Sequence, residues 1–209
     1  SRTPERVRRM VTLEEMGKRA RKAARVLAAA GPRKSAALSA MADALEENAE
    51  AVLQANALDL ADAKKNGMGD VMLDRLALSP ARVRGMADGL RAVAAQADPV
   101  GTVVAGSVRP NGLKIEKVRV PLGVIGMIYE SRPNVTADAA ALCLKAGNAV
   151  ILRGGKEAIR SNTAIADTMR AAAERAGLPR DSLQLVEDTD RASAVGMMNM
   201  TGLLDVLIP

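Results

Sequence analysis

The stretch Pro121–Asn162, PLGVIGMIYESRPNVTADAAALCLKAGNAVILRGGKEAIRSN, decides the fold class. Leu122–Tyr129 is continuously apolar, as expected of a strand buried on both faces of a sheet. An alanine-rich helical segment follows over Pro133–Ala146, Gly147-Asn148 turns the chain, and Ala149–Arg153 reads as a second strand. A helix from about Ala158 to Ala176, a short strand (Leu183–Val186), a helix near Arg191–Met200 and an apolar strand (Leu204–Ile208) continue the alternation. Alternating strands and helices predict an α/β fold with a doubly wound parallel sheet.

Toward the amino terminus the pattern changes. Gly101–Val108 and Leu113–Val120 are β-rich runs joined across Arg109-Pro110-Asn111-Gly112, and Asn-Gly is the strongest short hairpin signal. The preceding hundred residues read as nearly all helix. Thr12 with Glu15 forms a capping box for a helix to about Ala30, closed by Gly31-Pro32. Arg33–Lys65 carries apolar positions at helical spacing through Leu38, Met41, Leu45, Val52 and Leu53, and ends at Asn66-Gly67. Ser79-Pro80 starts a helix to about Ala95, and Asp98-Pro99 breaks it. The first nine residues precede Met10 and read as an appended remnant or extension outside the fold.

Composition narrows the function. The 209 residues are 48% hydrophobic and 26% charged, the balance of an ordinary globular chain. No apolar run reaches the roughly 18 residues of a membrane span and no signal-like stretch follows the first arginines, so a cytoplasmic protein is expected. One cysteine, Cys143, excludes an internal disulfide; the absence of histidine excludes a histidine-activated serine or cysteine and the usual zinc sites, so no metal is expected. Without Trp or Phe there is no platform for stacking bases, and the net charge of +6 is interleaved with acids, as in EEMGKRARKAAR. Nucleic acid is therefore not an expected partner; the excess charge suits anionic substrates and a phosphorylated cofactor.

Ligands of doubly wound sheets sit beyond the carboxyl ends of the strands, which directs attention to Tyr129–Asn134 and Arg153–Lys156. Neither segment carries a G-x-x-x-x-G-K-[ST] or G-x-G-x-x-G phosphate loop. From the residues alone, Asn134 reads as a helix N-cap after Pro133, Arg132, Arg153 and Lys156 as loop charges, Gly154-Gly155 as a turn, and Cys143 in AALCLKAG as a buried apolar side chain rather than a nucleophile.

The opening stretch, NALDLADAKKNGMGDVMLDRLALSPARVRGMADGLRAVAAQADPVG upstream and LLDVLIP downstream together resemble the γ-glutamyl phosphate reductase family of the aldehyde dehydrogenase superfamily. The resemblance implies a helical part over residues 10–100, an oligomerisation-type hairpin arm over 101–120, and a Rossmann-like cofactor-binding part over 121–209 that is incomplete at its carboxyl end. It implies NADPH-dependent reduction of γ-glutamyl phosphate to glutamate 5-semialdehyde and phosphate in proline biosynthesis. Asn134 is then an oxyanion-hole donor, Arg153, Gly154, Gly155 and Lys156 contact NADPH, and Arg132 binds substrate. It further implies a homo-oligomeric parent and an association with glutamate 5-kinase. The nucleophilic cysteine of the family lies in a later segment without a match here, so this chain alone is expected to be inactive and to bind cofactor weakly. A non-catalytic nucleotide-binding or oligomerisation module stays open beside this reading.

Overall fold

The computed structural model describes residues 11–209, so the reading of residues 1–9 lies outside the described residues. The chain enters α1 (Leu13–Ala28) through the expected capping box: Thr12 Oγ1 accepts from Glu15 N–H at 3.2 Å and the Glu15 carboxylate accepts from Thr12 N–H at 3.3 Å. The periodic stretch Arg33–Lys65 is two helices rather than one, α2 (Arg33–Glu47) and α3 (Ala49–Lys65). Asn48 breaks it, because its backbone leaves the helical region and its Nδ2 donates to the Ala44 carbonyl at 2.8 Å, satisfying the end of α2. The break lets each helix aim its own buried face: Leu38, Met41 and Leu45 in α2, Val52, Asn56, Asp59 and Ala63 in α3. A short helix that the sequence reading did not foresee, α4 (Asp70–Leu76), seals Leu76 against Ala63 and Ala158. Ser79 then starts α5 (Pro80–Ala95) as expected, its Oγ accepting from Arg82 N–H at 3.2 Å.

Strands β1 (Val103–Val108) and β2 (Lys114–Val118) pair antiparallel across the Pro110-Asn111-Gly112 turn, with Gly112 at φ +85° and Asn111 Oδ1 accepting from Leu113 N–H. Every residue of both strands is exposed. The alternating half follows as β3 (Val124–Ile128), α6 (Asn134–Lys145), β4 (Ala149–Arg153), α7 (Ile159–Arg175), β5 (Leu183–Leu185), α8 (Arg191–Met198) and β6 (Val206–Ile208). The four strands pair parallel in the order β5-β4-β3-β6. Right-handed crossovers running outward from β3 to β5 place α6 and α7 on one face; the return to β6 places α8 on the other, where it meets α1. β6 is shorter than Leu204–Ile208 because Leu203 and Leu204 both donate to the Met200 carbonyl and stay in a turn. Asp205 then closes the sheet, accepting from Val124 N–H at 2.8 Å and from both terminal nitrogens of Arg21 in α1.

Two buried lysines tie the helical layer to the hairpin stem. Lys34, 1% exposed, reaches Asp98 at 2.8 Å, and Lys145 donates to Ser35 Oγ and the Ala94 carbonyl. Burial pushes the Asp98 carboxyl up, but the Lys34 ammonium and the Val100 N–H outweigh it and hold the group below its ordinary range. A depressed carboxylate gives stability that is present above its unfolded value of about 3.9 and is lost as pH falls through the folded value. We expect Asp98→Asn to flatten the acid limb of the stability-pH profile below about pH 4 and to cost about 2 kcal/mol at neutral pH, measured by denaturant unfolding, since Lys34 is then left buried and unpaired while Asp98 itself is partly screened by water.

Candidate functional site

β3 and β4 deliver their carboxyl ends side by side, and the two loops that follow are locked together by buried polar contacts. Tyr129 continues the β3 pairing, its N–H donating to the Arg153 carbonyl at 3.0 Å, and its hydroxyl meets Thr136 Oγ1 at 2.7 Å. Desolvation lifts the Tyr129 phenol to about 12, against the Thr136 hydrogen bond, so it is a neutral structural hydroxyl at physiological pH. Thr136 in turn donates to Asn162 Oδ1 at 3.1 Å. The amide end of Asn162 lies against Gly154: a Cβ at that glycine would come 2.2 Å from Asn162 Nδ2. Ser131, 3% exposed, hydrogen-bonds Glu157, whose carboxylate folds back over Gly155. Both glycines of the RGGK turn are thus explained by close approach, at each of them by a side chain of the protein itself.

The loop after β4 is held from below by α3. Asp59, 2% exposed, accepts from the N–H of Ser161 at 2.8 Å and from its hydroxyl at 2.6 Å, with Arg160 N–H at 3.4 Å. These are first-turn groups of α7, which have no partner within the helix. One turn earlier, Asn56 donates to Ser161 Oγ and to the Leu76 carbonyl and accepts from Leu78 N–H at 2.8 Å, joining the segment after α4 to the same point.

Against this frame the expected site residues fall into two groups. Asn134 is the first residue of α6 with Pro133 in the cap position, and it makes no capping bond; its Nδ2 donates instead to Asp138 Oδ2 at 3.2 Å. The N-cap reading does not hold, because Val135 and Thr136 N–H turn back to the Arg132 and Pro133 carbonyls. Asn134 and Arg132, both exposed, line one cleft of about 450 Å³ together with Asp74, Arg75, Arg82 and Asp138. Desolvation raises the Asp138 carboxyl, with the Asn134 amide opposing it. Arg153 lies on the other side of the loop pair: its guanidinium donates to the Thr189 and Asp190 carbonyls at 3.1 and 3.3 Å and to Ser193 Oγ at 3.4 Å, bracing the entry to α8. Lys156 is exposed and its ammonium makes no hydrogen bond or ion pair within the described residues. The structure therefore places Asn134 and Arg132 on one cleft, while Arg153 turns toward the β5–α8 segment and Lys156 stays exposed in the loop after β4.

Cys143 is 5% exposed and desolvation pushes its thiol up to about 12, as expected of a packed apolar cysteine and not of a nucleophile. Sequence reasoning missed Asn56, Asp59, Ser131 and Glu157. The available signal was the spacing of Val52, Asn56, Asp59 and Ala63, one helical face on which two polar residues share a stripe with two apolar ones. No group of side chains suited to a metal occurs among the described residues, and no described helix is long and apolar enough to cross a membrane.

Comparisons with known proteins extend this picture. Residues 8–203 match the model of the aldehyde dehydrogenase family. The chain is 55% identical over 200 residues to a γ-glutamyl phosphate reductase of Mesorhizobium japonicum, covering 94% of this chain and 46% of that protein. It is 52% identical over 198 residues to the enzyme of the same name from Escherichia coli, covering 48% of it. The crystal structure of γ-glutamyl phosphate reductase from Thermotoga maritima superposes with a TM-score of 0.91 at 40% identity, over 93% of this chain and 47% of that one. The chain thus spans about half the length of the relatives it matches.

The Gly154–Asn162 contact is open to a direct test. Gly154→Ala should cost about 2 kcal/mol of unfolding free energy, and the same substitution in an Asn162→Ala background should cost less than half of that, because the clashing amide is gone. Equal costs in both backgrounds would place the strain elsewhere.

Proposed function

The chain belongs to the aldehyde dehydrogenase family, and on that footing we propose that it forms the cofactor-side half of an NADPH-dependent reductase acting on γ-glutamyl phosphate. The observation that carries this reading is the presence of Asn134, whose amide is not spent on capping, and Arg132 in the lining of one cleft. The reaction would yield glutamate 5-semialdehyde and phosphate. The names and identities of the relatives support the substrate assignment.

In this account a thiolate supplied from outside these 209 residues attacks the acyl carbon, since Cys143 is packed away. The tetrahedral adduct carries its negative charge on the former carbonyl oxygen, and Asn134 Nδ2 leaves Asp138 to donate to it. The bond from carbon to the phosphate oxygen breaks, and phosphate leaves with the electron pair. NADPH, when bound, would supply a hydride to the thioester carbon, and the carbon–sulfur bond would break to release the aldehyde and restore the thiolate.

The residues beyond β4 fit such a dinucleotide in part. Lys156 is an exposed, unengaged ammonium suited to a 2′-phosphate, while the space a Cβ would take at Gly154 and Gly155 is filled by Asn162 and Glu157. Arg153, committed to three acceptors of the β5–α8 segment, serves by holding that segment in place, with one edge left for a ribose hydroxyl. The exposed apolar residues of the hairpin, among them Val103, Val108, Ile115 and Val118, support a role as an oligomerisation arm in a homo-oligomer.

The experiment is a chimera joining this chain to the carboxyl-terminal half of the Escherichia coli relative, assayed in reverse as phosphate-dependent NADP⁺ reduction with glutamate 5-semialdehyde. Turnover is expected. Asn134→Ala should lower kcat by roughly a hundredfold or more with little change in NADP⁺ affinity. Lys156→Ala should weaken NADPH about tenfold and leave NADH unaffected. A folded chimera without turnover would refute the reading.

A further inference from the structure

The cleft that holds Asn134 contains a residue no part of the mechanism above has used. Three guanidinium groups line it, those of Arg75, Arg82 and Arg132, against the carboxylates of Asp74 and Asp138. Arg82 is consumed internally: Nη1 donates to the Asp74 and Ala77 carbonyls and Nη2 to Asp74 Oδ1 at 2.9 Å. That leaves Asp74 already paired, and Asp138 occupied by the Asn134 amide and partly desolvated. Arg75 and Arg132 make no side-chain hydrogen bond or ion pair within the described residues, so the cleft presents two uncommitted planar cations beside Asn134.

The backbone that carries Arg75 is fixed from several sides. Arg75 sits in the last turn of α4, whose Leu76 is fully buried and whose Leu76 carbonyl takes the buried Asn56 amide. The next residues are fixed by Asn56 Oδ1 on Leu78 N–H and by Arg82 on the Asp74 and Ala77 carbonyls. Two unpaired guanidinium groups lining one small polar cleft suit an oxyanion with several acceptor oxygens, such as a phosphoryl group.

The geometry points to Arg75 as the second cation of a phosphate subsite, which with Arg132 grips the phosphoryl group of an amino-acid acyl phosphate and holds the inorganic phosphate released from it. This rests on the reductase reading for the identity of the substrate, and adds to it the residue that recognises the leaving group.

The test is a titration of the ¹⁵N-labelled 209-residue chain with inorganic phosphate, with L-glutamate as the competing carboxylate probe. Saturable shifts are expected at Asp74–Leu78 and Arg132–Val135, and Arg75→Gln and Arg132→Gln should each weaken phosphate roughly tenfold, while Arg109→Gln in the hairpin turn changes nothing. Arg75→Gln should keep the wild-type melting temperature, since its side chain is exposed. Phosphate binding unchanged by Arg75→Gln, or the same amides saturating with L-glutamate at lower concentration than with phosphate, overturns the assignment. In the chimera, Arg75→Gln should raise KM for phosphate and not for NADP⁺; an active chimera with an unchanged phosphate KM defeats this inference alone, whereas a folded but inactive chimera defeats the reductase reading and leaves the titration to judge Arg75.

Discussion

A carboxylate buried against the first turn of a helix is the constraint on which the rest of this structure depends. Asp59 has almost no contact with water, so its charge must be met by fixed donors, and it finds them in the Ser161 N–H and hydroxyl and the Arg160 guanidinium. The amino end of α7 has unpaired N–H groups and a partial positive charge, so the two requirements satisfy each other. The consequence reaches beyond α7. Once Ser161 is pinned, Asn162 is set against Gly154, Glu157 reaches Ser131, and the loop carrying Arg132 and Asn134 takes its course from there. Through Asn56 the same point fixes the residues after α4, and with them the opposite wall of the cleft.

The arrangement divides its cationic side chains by task. Arg21, Arg82 and Arg153 spend their guanidinium groups on backbone carbonyls and carboxylates of the protein, Arg21 and Arg153 on segments distant in sequence and Arg82 on the turn just before it. Arg75, Arg132 and Lys156 are left for solvent or ligand, and all three stand at the ends of short elements whose backbones are otherwise restrained. Part of the positive charge is thus structural mortar, while Arg132 and Lys156, in the loops after β3 and β4, and Arg75 at the end of α4 keep theirs unpaired among the described residues.

The sequence reveals those elements whose stability comes from local pattern. Leu122–Tyr129 and Ala149–Arg153 are legible as strands because burial on both faces leaves no polar interruption, and Thr12, Ser79 and Asn111-Gly112 announce their turns and caps through chemistry within three residues of themselves. The division of Arg33–Lys65 at Asn48 is not legible, since apolar spacing continues across it and the bond that ends α2 comes from a side chain that fits a solvated helix equally well. The site is half visible for the same reason. Arg132, Asn134 and the RGGK turn follow from their position after buried strands together with the family resemblance. Asp59, Ser131 and Glu157 act on partners 26 to 102 residues away, and only the folded chain shows which polar residues of a helix have left the water. The turn of the Arg153 guanidinium toward Thr189 and Asp190 is equally a property of tertiary structure.

That one buried carboxylate in α3 holds both the loop after β3 and the loop after β4 is open to native-state hydrogen exchange on Asp59→Asn beside the wild type. An amide there keeps one acceptor oxygen and turns a donor toward either the Arg160 guanidinium or the Ser161 N–H, which weakens the anchor without removing it. The account predicts faster exchange at Ala158–Asn162 and also at Arg132–Thr136, with the amides of β1 and β2 unchanged. Faster exchange confined to the first turn of α7, with Arg132–Thr136 as protected as before, would contradict it.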